Sequence, residues 1–323
     1  MIHRRTFLTI AAALAASSIA GPLRAQGWPA RPIRLVIPFG AGAASDMVAR
    51  RLGDRLQASL GQPVIVENKA GASGQIAAEM VAKAPPDGYT LFLTSNTTHS
   101  ANPFLFKTLN YDPVKDFTPI ARVCDFPFVL VVQSALPIHS VQELVSYAHR
   151  TEGTNYGYGN STGQIAGAAF SRLTRMNSLA VPYKSVPQVV VDLLGGRVQF
   201  AFVDIANALP HIQAGTLRAL AVSSAKRSAL MPDLPTITEQ TGLPDFDLTA
   251  WGAVFGPADL PAPIVARLNT ELNQITTDPV FREQLRQAGV EAQASTAEEL
   301  RVFVERQLTV WGMKVKDADI QPA

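Results

Sequence analysis

The stretch VIPFGAGAASD, residues 36–46, joins an apolar run to a loop of small residues. The run is almost uninterrupted from Ile33 to Phe39, which is typical of a strand buried on both faces of a sheet. Beyond the loop, leucine or valine recurs every four residues from Val48 to Leu60, which predicts an amphipathic helix starting near Ser45. Ser45 or Asp46 is expected to cap this helix, and Gly61 to end it.

The same alternation of strands and helices continues outward from this stretch. Strands are predicted at 63–68 and 89–95, with a helix over about 75–84 between them, so the first half is expected to form a parallel α/β sheet. A second series has predicted strands at 128–133, 155–158, 198–204, 217–223 and 251–257, and predicted helices at 141–150, from Ser161, and over about 263–276. For 323 residues, this pattern predicts two α/β domains around a cleft.

Residues 1–25 form a separate segment, with arginines at 4 and 5, an alanine-rich apolar middle and a small residue, Ala25, at its end. This composition predicts a secretory signal peptide cleaved after Ala25, and therefore an exported protein. The run Arg4-Arg5-Thr6-Phe7-Leu8 resembles a twin-arginine signal, and the alternative is an ordinary Sec signal that happens to carry two arginines.

Charge and cysteine content exclude several functional classes. The 28 basic residues exceed the 26 acidic ones, but three of the arginines lie in the signal segment, so the remaining chain is nearly neutral and has no basic character suited to nucleic acid. Cys124 is the single cysteine, so an internal disulfide and a cysteine-based metal site are excluded. The spacing of the histidines indicates no metal site, and no cofactor is expected.

The loop Gly40-Ala41-Gly42-Ala43-Ala44-Ser45 nearly matches the dinucleotide fingerprint GxGxxG, and Glu67 ends the next strand, where a ribose-binding acid would lie. Against this reading, the third glycine is Ser45, Pro38 and Phe39 stand where the tight turn should begin, and an exported protein meets little free dinucleotide. A dinucleotide site is therefore disfavoured.

A second motif, Gly159-Asn160-Ser161-Thr162-Gly163, matches the GxSxG nucleophile elbow of hydrolases. A triad would have to use His211 with Asp192 or Asp204, which is a cramped arrangement along the chain. A secreted serine hydrolase using Ser161 stays the alternative function. Both motifs place a small-residue loop between a strand and a helix N-terminus, where free N–H groups and the helix dipole attract anions. One such loop in each half predicts a receptor for a small carboxylate.

Longer blocks of the sequence resemble the periplasmic receptors of tripartite tricarboxylate transporters, the Bug-type solute-binding proteins. They include WPARPIRLVIPFGAGAASDMVARRL (28–52), GQPVIVENKAGASGQIAAEMVAKAPPDGYTLF (61–92) and VPYKSVPQVVVDLLGGRVQFAFVD (181–204). The resemblance implies that the location of the exported protein is the periplasm. It implies two Rossmann-like α/β domains around a cleft, of the type II periplasmic-binding-protein kind, joined by crossover strands. We expect domain I to comprise 26–125 and 246–323, and domain II to comprise 126–245.

The resemblance also implies a carboxylate site made mostly of backbone amides. The expected ligand-binding residues are Phe39, Ala41, Gly42, Ala43, Ala44, Ser45, Asp46, Ser95, Asn96, Thr97, His99, Ser161, Thr162, Gly163, Gln164, Ile165 and Asp204. The amides of 42–45 and 162–164 are expected to face the anion. For His99 the alternative is a helix-start residue, and for Asp204 it is a helix cap.

The sequence departs from the family's usual pattern at three places, which predicts altered specificity. The first loop lacks a proline pair, Gln164 stands where a histidine is common, and Ser185 replaces a glycine. The implied function is a non-enzymatic, monomeric receptor that passes a dicarboxylate, a tricarboxylate, an acidic amino acid or an aromatic carboxylate to membrane subunits. A receptor that signals instead of transporting is the third alternative. Small side chains in the first loop leave room for an aromatic ring.

Overall fold

A computed structural model describes residues 27–243 and 246–323. The predicted signal peptide, 1–25, lies outside the described residues. The strands are β1 (Ile33–Ile37), β2 (Val64–Asn68), β3 (Thr90–Ser95), β4 (Phe117–Phe126), β5 (Phe128–Gln133), β6 (Tyr156–Tyr158), β7 (Ala180–Pro182), β8 (Phe200–Asp204), β9 (Leu217–Val222), β10 (Ala250–Pro257) and β11 (Glu291–Ala292).

The helices pack on both sheets. They are α1 (Ala44–Leu60), α2 (Gln75–Ala82), α3 (Asn102–Leu105), α4 (Val141–Arg150), α5 (Ser161–Leu173), α6 (Val186–Leu194), α7 (Ile205–Gln213), α8 (Ile237–Thr241), α9 (Ala262–Thr277), α10 (Pro279–Gln287) and α11 (Ala297–Asp317). A 3₁₀ turn at Ala72–Gly74 precedes α2, and a π-helical turn at Thr97–Ala101 precedes α3. Among the helices of the described ranges, none combines the length and the apolar composition that a membrane span requires.

The two sheets share one topology. Their strand orders are β2-β1-β3-β10-β4-β11 and β7-β6-β8-β5-β9. Each sheet contains three neighbouring parallel strands and, next to them, one antiparallel strand. The antiparallel strand is β10 in the first sheet and β5 in the second, and each follows a segment in which the chain crosses from the other sheet. The expected α/β class with two Rossmann-like sheets is confirmed. The expected parallel pairing is confirmed for β1 to β3, whereas each whole sheet is mixed.

We propose 26–125 with 246–323, and 126–245, as the limits of the two domains. Strand membership supports these limits, because β1 to β4, β10 and β11 form one sheet and β5 to β9 form the other. The chain crosses at Phe126-Pro127-Phe128 and again between α8 and β10.

Burial explains why these segments adopt these structures. In β1, Ile33, Leu35, Val36 and Ile37 are at most 1% exposed, as the uninterrupted apolar run predicted. One face of α1 is buried, through Val48, Leu52, Leu56 and Leu60, as the four-residue spacing predicted. The longest elements that were not predicted are β4, which carries Pro119, Arg122 and Asp125, and the helices α6 and α7, which each contain a proline. The short elements β7, β11, α3 and α8 were not predicted either.

Candidate ligand-binding cleft

A cleft lies between the two sheets, at the carboxyl ends of β1, β3 and β8. It encloses about 410 Å³ of space not filled by atoms, part of it open to solvent. Its lining residues come from both sheets: Phe39, Ala43, Ala44, Ser45, Ser95, Asn96, Thr97, Phe126, Phe128, Asn160, Thr162, Val186, Asp204 and Ala250. Ligands of open α/β folds bind in such crevices beyond the carboxyl ends of strands.

Asp46 stabilises the conformation of the loop before α1 from the side that faces away from the cleft. One carboxylate oxygen of Asp46 accepts the Gly42 N–H at 3.0 Å, and the other accepts a hydrogen bond from Asn68 Nδ2 at 3.0 Å. Arg50 forms an ion pair with the same carboxylate at 2.9 Å. Burial raises the pKa of the Asp46 carboxyl, but the bonds from Arg50, Gly42 and Asn68 outweigh burial and hold that pKa below its usual range. Asp46 therefore supports the loop and does not line the cleft.

The N-terminus of α1 lacks a side-chain cap. Its N-cap residue is Ala43, so the prediction that Ser45 or Asp46 caps the helix is wrong, because Asp46 is turned toward Gly42. The N–H groups of Ala44 and Ser45 have no partner within the described residues, and the Ser45 hydroxyl is buried without a partner. The first turn of a 17-residue helix therefore presents three donors to the cleft.

Other amides of the two predicted loops are already bonded. The Ala43 N–H donates to Gly40 O, the Gly163 N–H to Asn160 Oδ1, and the Gln164 N–H to Asn160 O. Of the amides of 42–45 and 162–164 that were expected to face an anion, those of Ala44, Ser45 and Thr162 therefore remain available to a ligand. Asn160, which was not predicted, is the N-cap residue of α5.

Two hydrogen bonds cross the cleft between the sheets. Ser161 Oγ donates to Thr97 Oγ1 at 2.9 Å, and Asn96 Nδ2 donates to Thr162 Oγ1 at 2.9 Å. Thr97 and Thr162 accept these bonds, so their own hydroxyl hydrogens remain able to donate into the cleft. Asn96 Oδ1 is buried without a partner.

His99 does not line the cleft. Its ring stacks on Phe255 with centroids 4.1 Å apart and packs against Phe117 at 4.6 Å, inside the first domain. Its Nδ1 lies 2.9 Å from Thr98 Oγ1. Burial lowers the pKa of the His99 imidazole to about 3, so the ring is neutral at physiological pH.

Close packing explains why the GxSxG motif has glycines at positions 159 and 163. A Cβ on Gly159 would lie 2.3 Å from the Ser185 carbonyl carbon, and one on Gly163 would lie 2.8 Å from the Phe202 carbonyl oxygen. Ser161 Oγ hydrogen-bonds to Thr97, not to a histidine. The motif thus allows the α5 loop to approach α6 and β8 closely.

Asp204 occupies both of its predicted places, because it lines the cleft and also caps α7. Its Oδ1 accepts the Asn207 N–H at 2.9 Å and Asn207 Nδ2 at 2.7 Å. Burial raises the pKa of the Asp204 carboxyl, although the bonds from Asn207 oppose this rise.

The remaining predicted residues lie outside the lining of the cleft. Ala41 is exposed, Gly42 lines an adjoining pocket, and Ile165 is a core residue. Glu67, the ribose-binding acid of the disfavoured reading, forms an ion pair with Arg34 at 2.7 Å. Among the described residues, no group of three or more His, Cys, Asp or Glu is arranged to hold a metal ion.

Sequence reasoning missed the apolar wall of the cleft. Phe126 and Phe128 flank the first crossing between the domains, Ala250 begins β10 after the second crossing, and Val186 begins α6. The aromatic-proline-aromatic run 126–128 was the available signal, because crossing strands necessarily pass the cleft.

Two α/β domains that meet over a donor-lined cleft define a solute-binding protein. The model of the family described as tripartite tricarboxylate transporter family receptor matches residues 48–320 of this chain. BugT of Bordetella pertussis is 34% identical over 318 residues, which cover 97% of each chain. The chain therefore belongs to this receptor family, and the resemblance inferred from the sequence is confirmed.

Solved structures agree with this assignment. The periplasmic binding protein BugD matches with a TM-score of 0.86 at 32% identity, over 92% of this chain and 100% of that one. An R. palustris protein solved with adipate matches with a TM-score of 0.89 at 35% identity, over 92% and 100%. MatC from Rhodopseudomonas palustris, solved with bound malate, matches with a TM-score of 0.83 at 31% identity, over 89% and 100%.

Proposed function

We propose that this protein captures a small organic carboxylate in the periplasm and delivers it to the membrane subunits of a tripartite tricarboxylate transporter. One observation carries the proposal: the uncapped N-terminus of α1 presents the free N–H groups of Ala44 and Ser45 to the cleft. Anions are stabilised at such helix ends, and small side chains let a carboxylate approach the backbone.

The hydroxyls around this helix end strengthen the same chemistry. Ser45, Thr97 and Thr162 line the cleft, and each has a hydroxyl hydrogen that can be donated to a carboxylate oxygen. Two similar structures were solved with carboxylates, adipate and malate, which supports this ligand class.

The proposed periplasmic location and the proposed delivery to a transporter are supported by the family to which the chain belongs. A similar structure, BugD, is a periplasmic binding protein, and the family is described as a transporter receptor. The basic and apolar composition of residues 1–25 supports export.

A thermal-shift screen of residues 27–323 against a carboxylate panel tests the ligand class. The panel contains succinate, malate, adipate, citrate, glutamate, nicotinate, benzoate and terephthalate, with NAD and an ester as controls. A ligand at one hundred times its Kd adds about 2.7 kcal/mol to the free energy of unfolding, which raises Tm measurably. A shift with NAD alone, or turnover of the ester, would contradict the proposal.

The two alternative functions predict different outcomes for variants. A hydrolase that uses Ser161 would lose ester turnover in Ser161→Ala, whereas a receptor would only bind its ligand more weakly. A receptor that signals would bind the ligand equally well but would not be needed for its uptake. Measuring uptake of the identified ligand by cells that lack this protein therefore separates transport, in which uptake is lost, from sensing, in which it is retained.

A further inference from the structure

The cleft is poor in positive charge. Of its fourteen described lining residues, Asp204 is the one with a charged side chain. An adjoining pocket shares Ala43 and Ala44 with the cleft, and none of its described lining residues is charged; its polar side chains are Asn207, Gln213 and Gln287. A ligand that extends in either direction therefore meets no lysine or arginine.

Two residues that line this space, Asp204 and Asn96, carry buried acceptor oxygens. Asp204 is 4% exposed, its Oδ1 accepts two hydrogen bonds from Asn207, and among the described residues no lysine or arginine lines the cleft beside it. Asn96 is fully buried, and its Oδ1 has no partner within the described residues. Asn96 Oδ1 therefore lacks a donor that a bound molecule would supply, since an unsatisfied polar group weakens binding, whereas Asp204 is an acid with no cationic partner in the described lining.

The aromatic walls of the cleft favour a ligand with an apolar body. Phe39, Phe126 and Phe128 form walls of the cleft, and Phe128 pairs with Asp204 directly across the β5–β8 ladder. Asp204 therefore lies at the edge of an aromatic wall, where a second carboxylate would be desolvated beside another carboxyl group. Two carboxyl groups in one desolvated site do not both stay ionised without a cation.

We infer that the preferred ligand carries one carboxylate, an apolar body and an uncharged hydrogen-bond donor that faces Asp204, and that doubly ionised dicarboxylates are disfavoured. This inference rests on the proposed function, because the single carboxylate is the group bound at the N-terminus of α1. The preference would separate this protein from its relatives solved with adipate and malate, which are both dicarboxylates.

Pairs of ligands that differ by one charge test the inference. The pairs are succinate and succinamate, adipate and adipamate, and terephthalate and terephthalamate; in each, an amide that can donate replaces one carboxylate at nearly equal size. Isothermal titration calorimetry at pH 7.5 should give at least about tenfold tighter binding of the monoamide in every pair that binds, because an amide beside Asp204 avoids placing two carboxyl groups in one desolvated site.

The variant Asp204→Asn replaces the carboxyl group by an amide and keeps a good helix cap. Its ratio of monoamide to diacid affinity should fall toward one. Asp278→Asn is the matched control, because Asp278 also caps a helix, α10, by accepting a bond from the Phe281 N–H, and it does not line the cleft. The ratio in this control should equal that of the wild type.

Three results would overturn the inference. The first is a diacid that binds as tightly as its monoamide. The second is an affinity ratio that Asp204→Asn leaves unchanged. The third is the absence of binding by all six probes, since a site of this kind must accept a monoamide of this size range. The proposed function fails separately, if the whole carboxylate panel gives no stabilisation while NAD or the ester responds.

Discussion

At the scale of single residues, Asp46 shows how a buried acid can shape the loop of the proposed anion site without lining the cleft. Its carboxylate accepts bonds from Gly42, Asn68 and Arg50, and it leaves the N–H groups of Ala44 and Ser45 free for a ligand. Gly42 has a φ of +81°, which favours glycine, so the loop depends on both residues.

Asp46→Ala should lower the free energy of unfolding by about 2–3 kcal/mol at pH 7, because hydrogen bonds to a buried charged group are lost. Since the folded pKa is lowered, this contribution is fully present above the unfolded pKa of about 3.9 and disappears as the pH falls through the folded pKa. Urea unfolding from pH 7 to pH 3 measures both effects. Asp54→Ala, an exposed position on the same helix, should change little, and an equal loss in both variants would contradict the role of Asp46.

Gly159→Ala should destabilise the protein by about 3 kcal/mol or more, because the added Cβ would overlap backbone atoms of Ser185 and Val186 that cannot move independently. Gly195→Ala is the control, since its Cβ would meet atoms no nearer than 3.5 Å. Thermal unfolding of both variants checks this prediction. A Gly159→Ala protein as stable as the wild type would show that the close approach of the loop to α6 is not needed.

At the scale of elements, the end of β3 and the start of α5 meet across the cleft. The bonds Ser161–Thr97 and Asn96–Thr162 join residues more than sixty positions apart, so they hold the two domains together on the side where the ligand binds. We therefore expect these side chains to stabilise the closed form, in addition to their proposed contact with the ligand.

Thr97→Val removes one of these bonds at nearly constant volume. A net loss of about 1 kcal/mol from the closed form should weaken ligand binding at least about fivefold, and loss of the Thr97 hydroxyl as a donor to the ligand adds to this, without a comparable loss of thermal stability in the unliganded protein. Calorimetric titration with the ligand found in the panel measures the effect. Thr270→Val is the matched control, because the Thr270 hydroxyl donates within α9, to Ala266 O. Wild-type affinity in Thr97→Val would rule out a role for this bond in closure.

At the scale of the whole molecule, the two domains are joined where the chain crosses at 126–128 and again before β10. Two crossings permit a hinge motion, and the bonds across the cleft describe the closed form. A saturating ligand should therefore reduce the radius of gyration of the signal-free protein. Small-angle X-ray scattering of the free and bound protein measures this, and identical profiles would contradict hinge closure.

Local periodicity predicted much of the fold. The apolar run of β1, the four-residue spacing of α1 and the helix at 141–150 are visible in the sequence because each depends on neighbours a few positions away. The missed strand β4 has polar residues and a proline within it, and it is a strand because β10 pairs along its whole length. No pattern within ten residues carries that information.

By itself, the sequence determined two α/β domains, two small-residue loops at helix starts and the receptor family, because strand and helix periods and block order are properties of the chain. Only the tertiary structure decided which groups face a ligand. It turned Asp46 behind the loop, buried His99 among aromatic rings, and brought Phe126 and Phe128 beside Asp204. These placements depend on packing between residues far apart in the chain, which a local pattern does not encode.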